Sequence, residues 1–193
     1  MKKLISDIIK YTIIIILAVL VSWVIFEKES NKFEIERKWL IDTVDIPYNL
    51  EKEADKYDIT QTYIQYSPEI RVREIKNNED TYYTMTVKRY INNEALTREE
   101  YDFEITKEEY DNTVVKGIDN TIYKTRYQIN IDGLTYAFDI FHGSLEGLAY
   151  LEIEFESENQ ANNFKEPEWI IKDITNDRGY KNQSLAKFGI PEN

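Results

Sequence analysis

The sequence of 193 residues contains no cysteine, so disulfide bonds and thiolate metal sites are excluded. It has one histidine, so a bound metal ion would have to rely mainly on carboxylates and water. Such ligands favour hard divalent ions, Mg²⁺ or Mn²⁺. Glycine and proline are scarce, with 6 and 4 residues, whereas tyrosine and phenylalanine number 15 and 8. This composition excludes disordered and collagen-like classes and suits one domain with a sizeable core.

The chain also lacks an excess of positive charge. Its net charge is −12, and the first 28 residues contribute +2, which leaves −14 for the remainder. A domain this acidic is not expected to bind duplex nucleic acid non-specifically. Basic residues gathered in one place would therefore indicate a specific anionic ligand.

Long hydrophobic runs are absent except near the N-terminus. Residues 11–26 carry no charge, and as a helix they would span ~24 Å of the ~30 Å bilayer core. A buried core helix and a cleavable signal peptide are the alternatives, but no small-x-small cleavage site follows the run. We therefore predict a membrane anchor at residues 10–26, with 1–28 as anchor and flanks and 29–193 as the domain.

Lysines at positions 2, 3 and 10 precede this run, and the positive-inside rule uses such residues to orient a membrane segment. The predicted location is the cell membrane, crossed once, with the domain outside the cytoplasm.

Strand-like alternation begins at residues 33–41, where Glu34, Glu36 and Lys38 share one face. A solvated outer face is the usual position of such charges. However, the same alternation recurs in seven later segments: 59–66, 70–75, 82–90, 96–105, 122–131, 134–141 and 148–156. Capping boxes at Thr106–Glu109 and Ser157–Gln160 predict helices, and residues 47–58 are predicted to form a loosely helical arm.

The charged faces of these segments hold both signs of charge. The basic set is Lys38, Arg71, Arg73, Lys88, Arg98, Lys124 and Arg126, and the acidic set is Glu34, Glu36, Glu100, Asp139, Glu152 and Glu154. Arginine suits phosphate through its planar fork, and lysine acts as a point charge. If these faces meet in the fold, the seven cations would need an anionic ligand.

The segment Glu34-Ile35-Glu36-Arg37-Lys38 resembles the ExExK signature of the CYTH, or triphosphate tunnel metalloenzyme, family. Later matches resemble its RxR, TxK, RxE, KxR and ExE elements at Arg71–Arg73, Thr86–Lys88, Arg98–Glu100, Lys124–Arg126 and Glu152–Glu154. The resemblance covers residues 33 to about 186. It implies an α+β fold in which an eight-stranded antiparallel β-barrel with flanking helices surrounds a charged tunnel.

The resemblance also implies residue roles. Metal binding falls to Glu34, Glu36, Glu152 and Glu154, phosphate binding to the basic set, and action on water to Glu100 or Asp139. The expected reaction is Mg²⁺- or Mn²⁺-dependent hydrolysis of a triphosphate, above all inorganic tripolyphosphate. The alternatives are thiamine or nucleoside triphosphate hydrolysis, removal of an RNA 5′-triphosphate, adenylate cyclisation, polyphosphate polymerisation, and a membrane-tethered module that binds polyphosphate or a nucleotide without turnover.

Two further residues bear on this expectation. His142 could act as a general base, although an ordinary role in a loop suits a lone histidine beside Gly143 better. Gly179 stands beside Tyr180 where the family pattern leads us to expect a basic or bulky residue.

The anchor prediction can be tested by fractionation. The full chain should stay in the membrane fraction through a high-salt or carbonate wash, because a spanning apolar helix resists both. Release by either wash, or a mature N-terminus beyond residue 26, would contradict it.

Overall fold

The computed structural model describes residues 33–90, 97–117 and 120–192, without the side chains of Phe33, Glu34, Tyr90, Thr97 and Arg98. The chain divides into two units, Met1–Phe33 and Glu34–Asn193. The predicted anchor at 10–26 lies outside the described residues. Among the residues that are described, no helix is long and apolar enough to cross a membrane.

An antiparallel sheet forms the main body of the described chain. Its strands are β1 (Phe33–Ile41), β2 (Asp55–Tyr66), β3 (Glu69–Lys76), β4 (Thr81–Tyr90), β5 (Thr97–Ile105), β6 (Thr121–Ile131), β7 (Leu134–His142), β8 (Ala149–Glu154) and β9 (Ile170–Asp173). Their order across the sheet is β5-β4-β3-β2-β6-β7-β8-β1-β9, and β5 makes an additional pairing with β1.

The antiparallel sheet with flanking helices confirms the predicted α+β class. The described strands number nine rather than eight, because Ile170–Asp173 pairs with the end of β1. The predicted arm at 47–58 was wrong in its last four residues: β2 begins at Asp55, since Asp55–Asp58 pair with Gln128–Thr125 of β6. Closure of the sheet into a barrel remains a prediction.

Four short helices flank the described sheet: α1 (Leu50–Glu53), α2 (Lys107–Val114), α3 (Glu158–Asn163) and α4 (Asn182–Phe188). Both predicted helix starts are confirmed. The Thr106 hydroxyl accepts from the Glu109 N–H at 3.2 Å, and the Thr106 N–H donates to the Glu109 carboxylate at 2.7 Å. At α3, the Ser157 hydroxyl accepts from the Gln160 N–H at 3.2 Å. Each cap satisfies helix N–H groups that have no partner within the helix.

The larger apolar core lies on one face of the sheet. Trp39, Leu151 and Phe138 occupy neighbouring register positions on β1, β8 and β7, and all three are fully buried. Phe164 and Trp169 pack over them from the segment that follows α3. Since successive strand residues point to opposite faces, the residues between these three must point to the other face of the sheet. We call that other face the inner face.

Arg37 fastens the segment after β8 onto this outer core. Its guanidinium donates to the carbonyl oxygens of Ala161 and Phe164 at 3.2 and 3.4 Å, and it pairs with the carboxylates of Asp173, at 2.5 Å, and Glu166. Arg37 alternates with Glu36 and Lys38 in the sequence, so its charge serves the outer packing rather than the inner face.

Candidate active site

A buried carboxylate, Asp139 on β7, organises one half of the inner face. Asp139 lies opposite Arg126 of β6, which donates to its two oxygens at 2.6 and 2.7 Å. The Lys124 ammonium donates to the same carboxylate at 2.5 Å. Asp139 is 0% exposed, so both of its oxygens are occupied by cations and not by bulk water.

A second buried carboxylate, Glu152 on β8, extends this group to β1. Lys38 lies opposite Glu152 in the strand register, and its ammonium is 2.5 Å from one Glu152 oxygen. The other oxygen accepts from Arg126. Lys38 is also 4.0 Å from Glu36, the next inner-face residue along β1. The result is a continuous chain of alternating charges across four strands, and we call it the Asp139 network.

Strands β3, β4 and β5 contribute a second group around Glu100. Its carboxylate lies 2.7 Å from the Lys88 ammonium and 3.6 Å from the Arg71 guanidinium. Glu69 adds a further partner for Arg71 at 3.3 Å. Lys88 lies opposite Glu69 on β3 and Glu100 on β5, which places these side chains on one face.

Arg73 is held beside this group by neighbours on β4 and β5. Its guanidinium donates to the hydroxyls of Thr84 and Thr86 at 3.3 and 3.0 Å and to the Asp102 carboxylate at 3.2 Å. The Thr86 hydroxyl in turn donates to Asp102 at 2.5 Å. These contacts fix the orientation of a planar donor group that suits phosphate oxygens.

The two groups lie within electrostatic range of each other. Burial, and then the charge of Arg71, lowers the pKa of Arg73 to about 10, and Arg126 contributes in the same direction. The Glu36 carboxylate on β1 helps to raise the pKa of Arg126, although β8 and β7 lie between their strands. Direct contacts also join side chains on non-adjacent strands: Arg126 of β6 contacts Glu152 of β8, and Arg73 of β3 contacts Asp102 of β5.

Burial and pairing shift several pKa values within the Asp139 network. Burial, with help from the Arg126 charge, lowers the pKa of the Lys124 ammonium to about 8. Burial acts to raise the pKa of Glu152, but Lys38 and Arg126 hold it well below its ordinary value. Burial acts to lower the pKa of Arg126, but Asp139 and Glu152 hold it well above the ordinary range. Perturbed groups of this kind are typical of functional sites.

The structure gathers most of the predicted site residues. Ten meet on the inner face through the contacts above: Glu36, Lys38, Arg71, Arg73, Lys88, Glu100, Lys124, Arg126, Asp139 and Glu152. Glu154 lies opposite Glu36 in the register and is exposed. Glu34 and Arg98 lie two residues before Glu36 and Glu100 on their strands, but their side chains are outside the described part of the chain.

Asp102 and Thr84 were not among the predicted site residues. Both were on the charged faces that the period-two alternation defined, so the signal was available. His142 lies elsewhere: it pairs in register with Tyr123, and its ring nitrogen is 2.9 Å from the Thr125 hydroxyl on the outer face. That position favours the ordinary role over a general base acting on the inner face.

The comparisons with known proteins agree with this geometry. No protein-family model matches the chain. The sequence is 33% identical over 162 residues to an inorganic triphosphatase of Nitrosomonas europaea, and the match covers 82% of this chain and 99% of that relative. It is 34% identical over 128 residues to an inorganic triphosphatase of Acetivibrio thermocellus, covering 66% and 78%. The chain belongs to the inorganic triphosphatase family.

Solved structures support the same family. The crystal structure of an inorganic triphosphatase matches with a TM-score of 0.56 and 31% identity, over 79% of this chain and 93% of that one. A Pyrococcus horikoshii protein matches with a TM-score of 0.52 over 67% and 82%; at 20% identity this match shows the fold alone. The predicted resemblance to the CYTH, or triphosphate tunnel, family is confirmed.

The inner-face carboxylates suit a metal ion that is also bound by phosphate oxygens. They are less suited to a metal site made by protein side chains alone. Among the described residues, no three His, Asp or Glu side chains are grouped as such a cage would require. Glu36 and Glu154 lie opposite each other, which brings two carboxylates to one place on the inner face. Mg²⁺ is commonly bound by one or two carboxylates together with substrate phosphates and water. The donor set therefore fits Mg²⁺ or Mn²⁺ of that kind.

The contacts of Asp139 predict a large effect on stability. Asp139→Asn removes the charge that two buried cations share, so the free energy of unfolding should fall by about 3–5 kcal/mol at pH 7, the usual cost of breaking a buried pair on one side. Urea denaturation measures it. Asp80→Asn, at an exposed position, is the matched control and should change little. A loss below about 1 kcal/mol would contradict the organising role of Asp139.

Proposed function

We propose that this protein hydrolyses inorganic tripolyphosphate on the inner face of its sheet, with Mg²⁺ or Mn²⁺ as cofactor. The observation that carries this proposal is the concentration of six described cations there, on a domain that is otherwise strongly acidic. Water would add its oxygen to a terminal phosphorus, the P–O–P bond would break, and phosphate, diphosphate and a proton would be released. The named triphosphatase relatives support the same reaction class.

The contacts of the cations explain how they could hold a triphosphate. Lys38, Lys88 and Lys124 donate to carboxylates at 2.5–2.7 Å, and Arg71, Arg73 and Arg126 present planar forks to the same space. Phosphate oxygens are acceptors of the same kind and compete for these donors. Because the carboxylates already orient the cations, little rearrangement of these donors is needed when phosphate binds.

Two predicted catalytic carboxylates divide into different roles under this proposal. Asp139 is fully enclosed by Lys124 and Arg126, so we assign it to positioning those cations. Glu100 is 14% exposed and contacts Lys88 at 2.7 Å, so it remains the candidate for orienting water.

Glu36 and Glu154 would hold the divalent ion together with phosphate oxygens, and Glu34 and Glu152 stand next to them on the same strands. When bound, the ion would supply positive charge that offsets the negative charge developing on phosphate during transfer. Glu152 is now neutralised by Lys38 and Arg126, so it would become a metal ligand only as phosphate engages those two cations.

Two further parts of the proposal have narrower support. The pairing of β5 with β1 joins strands from distant positions in the sheet order, and it supports walls that surround the substrate as a tunnel. The membrane tether at residues 10–26 rests on the sequence alone, as does its orientation with the domain outside.

Substitutions in the acidic and basic sets should have different effects. Glu36→Gln keeps the size of the side chain but removes the charge that a hard cation requires, so phosphate release should nearly cease while the fold remains.

Arg73→Ala removes a guanidinium fork, so tripolyphosphate affinity should fall by about 2 kcal/mol. Phosphate release and isothermal titration of tripolyphosphate measure the two effects.

The matched control for the carboxylate variant is Glu146→Gln, because Glu146 is 74% exposed and lies beside His142. An unchanged rate in Glu36→Gln would end the metal assignment. Absence of turnover in the unmodified protein, across inorganic, thiamine and nucleoside triphosphates with either ion, would favour a binding module instead.

The pKa of Lys124 predicts a pH dependence. The ammonium is mostly protonated below about pH 8 and mostly neutral above it, so kcat/KM for tripolyphosphate should decline as pH rises through about 8. The profile of kcat/KM reports the free enzyme, in which this pKa applies. Steady-state kinetics between pH 6.5 and 9.5, at a fixed concentration of free Mg²⁺, provides the measurement, in steps of about half a unit.

Lys124→Arg is the control for the decline of kcat/KM at high pH, because a guanidinium stays charged throughout the range. Ionisation of the substrate is the same for both proteins and cancels in the comparison. If both proteins decline at the same pH, Lys124 is not the titrating group.

A further inference from the structure

One carboxylate on the inner face belongs neither to the Asp139 network nor to the group around Glu100. Asp102 occupies the next inner-face position after Glu100 on β5, and its side chain is 51% exposed. Under the proposed function it is neither a phosphate-binding cation nor a carboxylate assigned to metal or water. It does contact one of the proposed phosphate-binding cations, Arg73 on β3.

Asp102, Arg73 and Thr86 form a closed set of hydrogen bonds, which we call the Asp102 triangle. Nη2 of Arg73 donates to the Thr86 hydroxyl at 3.0 Å and to an Asp102 carboxylate oxygen at 3.2 Å. The Thr86 hydroxyl donates its own proton to the same Asp102 oxygen at 2.5 Å. A hydroxyl whose proton is directed at a carboxylate can only accept from the guanidinium. Asp102 therefore fixes the direction of every bond in the triangle.

The contacts of Arg73 leave one edge of its guanidinium for a ligand. Nε donates to the Thr84 hydroxyl at 3.3 Å, and Nη2 is directed at Thr86 and Asp102. Within the described part of the chain, no acceptor meets Nη1. Since the guanidinium is planar and rigid, holding Nε and Nη2 also sets the direction in which Nη1 points.

Asp102 also opposes the repulsion that Arg73 meets from other cations. Burial, followed by the charge of Arg71, lowers the pKa of Arg73, and Arg126 adds to this lowering. Asp102 is the largest influence in the opposite direction. The carboxylate that orients the guanidinium thus also offsets the electrostatic cost of placing it among other arginines.

We propose that Asp102 is a positioning residue for the triphosphatase reaction: through the Asp102 triangle it directs the Nη1 edge of Arg73 at the phosphates. This inference rests on the proposed function. Asp102 is an exposed negative charge beside an anion site, so by charge alone its removal should strengthen tripolyphosphate binding. If it positions Arg73, its removal should weaken binding, because a guanidinium that is no longer held must be ordered when phosphate binds. The two effects have opposite signs.

Asp102→Ala and Glu104→Ala separate these effects. Glu104 is the next inner-face residue on β5, is exposed, and carries the same charge. Asp102→Ala should raise Kd and KM for tripolyphosphate by about 3- to 10-fold and leave kcat within about twofold, the scale of a lost hydrogen-bond contribution. Glu104→Ala should leave Kd and KM unchanged or slightly lower. Equal or stronger binding in Asp102→Ala would overturn the proposal.

A double-mutant cycle with Arg73→Ala tests whether Asp102 acts through that arginine. In the Arg73→Ala background, loss of Asp102 should not weaken binding by more than about twofold, because the group that it positions is already gone. A weakening as large as in the unmodified protein would show an independent role, and the positioning role would then be wrong.

The metal dependence of the effect separates positioning from metal binding. Calorimetric Kd values are measured on the full chain without a divalent ion, so that tripolyphosphate is not consumed, and kcat and KM are measured with Mg²⁺. An effect of Asp102→Ala that appears only with Mg²⁺ would assign this carboxylate to the metal and overturn the proposal. Absence of turnover in the unmodified protein would instead contradict the proposed function, and the Kd cycle would still decide the role of Asp102.

Thr86→Val is the second variant, to be used if Asp102→Ala does not fold. Valine keeps the shape of the side chain and removes the hydroxyl that joins Arg73 to Asp102. It should also raise Kd, and this effect should also disappear in the Arg73→Ala background. An unchanged Kd in a folded Thr86→Val protein would contradict the triangle.

Discussion

Charge that is buried inside a sheet must be paired, and this requirement governs the described domain. Taking an ion out of water costs several kcal/mol, which nearby opposite charges and hydrogen bonds must offset. Asp139 meets the requirement for Lys124 and Arg126, and Glu152 meets it for Lys38 and Arg126. Arg126, Asp139 and Glu152 each contact two partners of opposite charge, and Lys124 shares Asp139 with Arg126. Loss of one side chain therefore removes a partner from at least one other buried charge.

Apolar packing on the outer face of the same strands stabilises the domain and offsets the cost of burying the paired charges. Trp39, Phe138 and Leu151 are fully buried there, and burial of each such side chain contributes roughly 1.5–3 kcal/mol. The separation works because successive residues on a strand point in opposite directions. A domain can thus carry a polar functional interior if helices and loops cover its outside, as the segment after β8 does through Arg37 and Phe164.

The overall charge and the local charge of the domain act in opposite senses. A net charge of −14 after residue 28 repels an anionic substrate at long range, while the inner-face cations attract it at short range. Screening limits the repulsion to about 8 Å at physiological ionic strength. A divalent ion that accompanies the triphosphate lowers the charge that must approach. The acidic surface is therefore compatible with the proposed binding of a metal–triphosphate complex by the inner-face cations.

Much of the site followed from the sequence, since a period of two leaves little freedom. Once residues 33–41 and 122–131 are strands, Glu36 and Lys38 must share a face, as must Lys124 and Arg126. The capping boxes at Thr106 and Ser157 were equally local, because a cap depends on residues only three positions apart. The start of β2 at Asp55 was missed, since the strand character of Asp55–Asp58 depends on their partners on β6.

What only the tertiary structure decided depends on residues far apart in the chain. The sequence placed Asp139 among the acidic residues, but only the register of β6 against β7 showed that two cations enclose it. Asp102 became a partner of Arg73 through β4, which lies between their strands. Ile174, Tyr180 and Leu185 pack in one cluster with Leu40 and Tyr150, and these partners on β1 and β8 come from more than 20 residues upstream. Alternation fixes which face a residue takes, whereas packing of distant segments decides what that face meets.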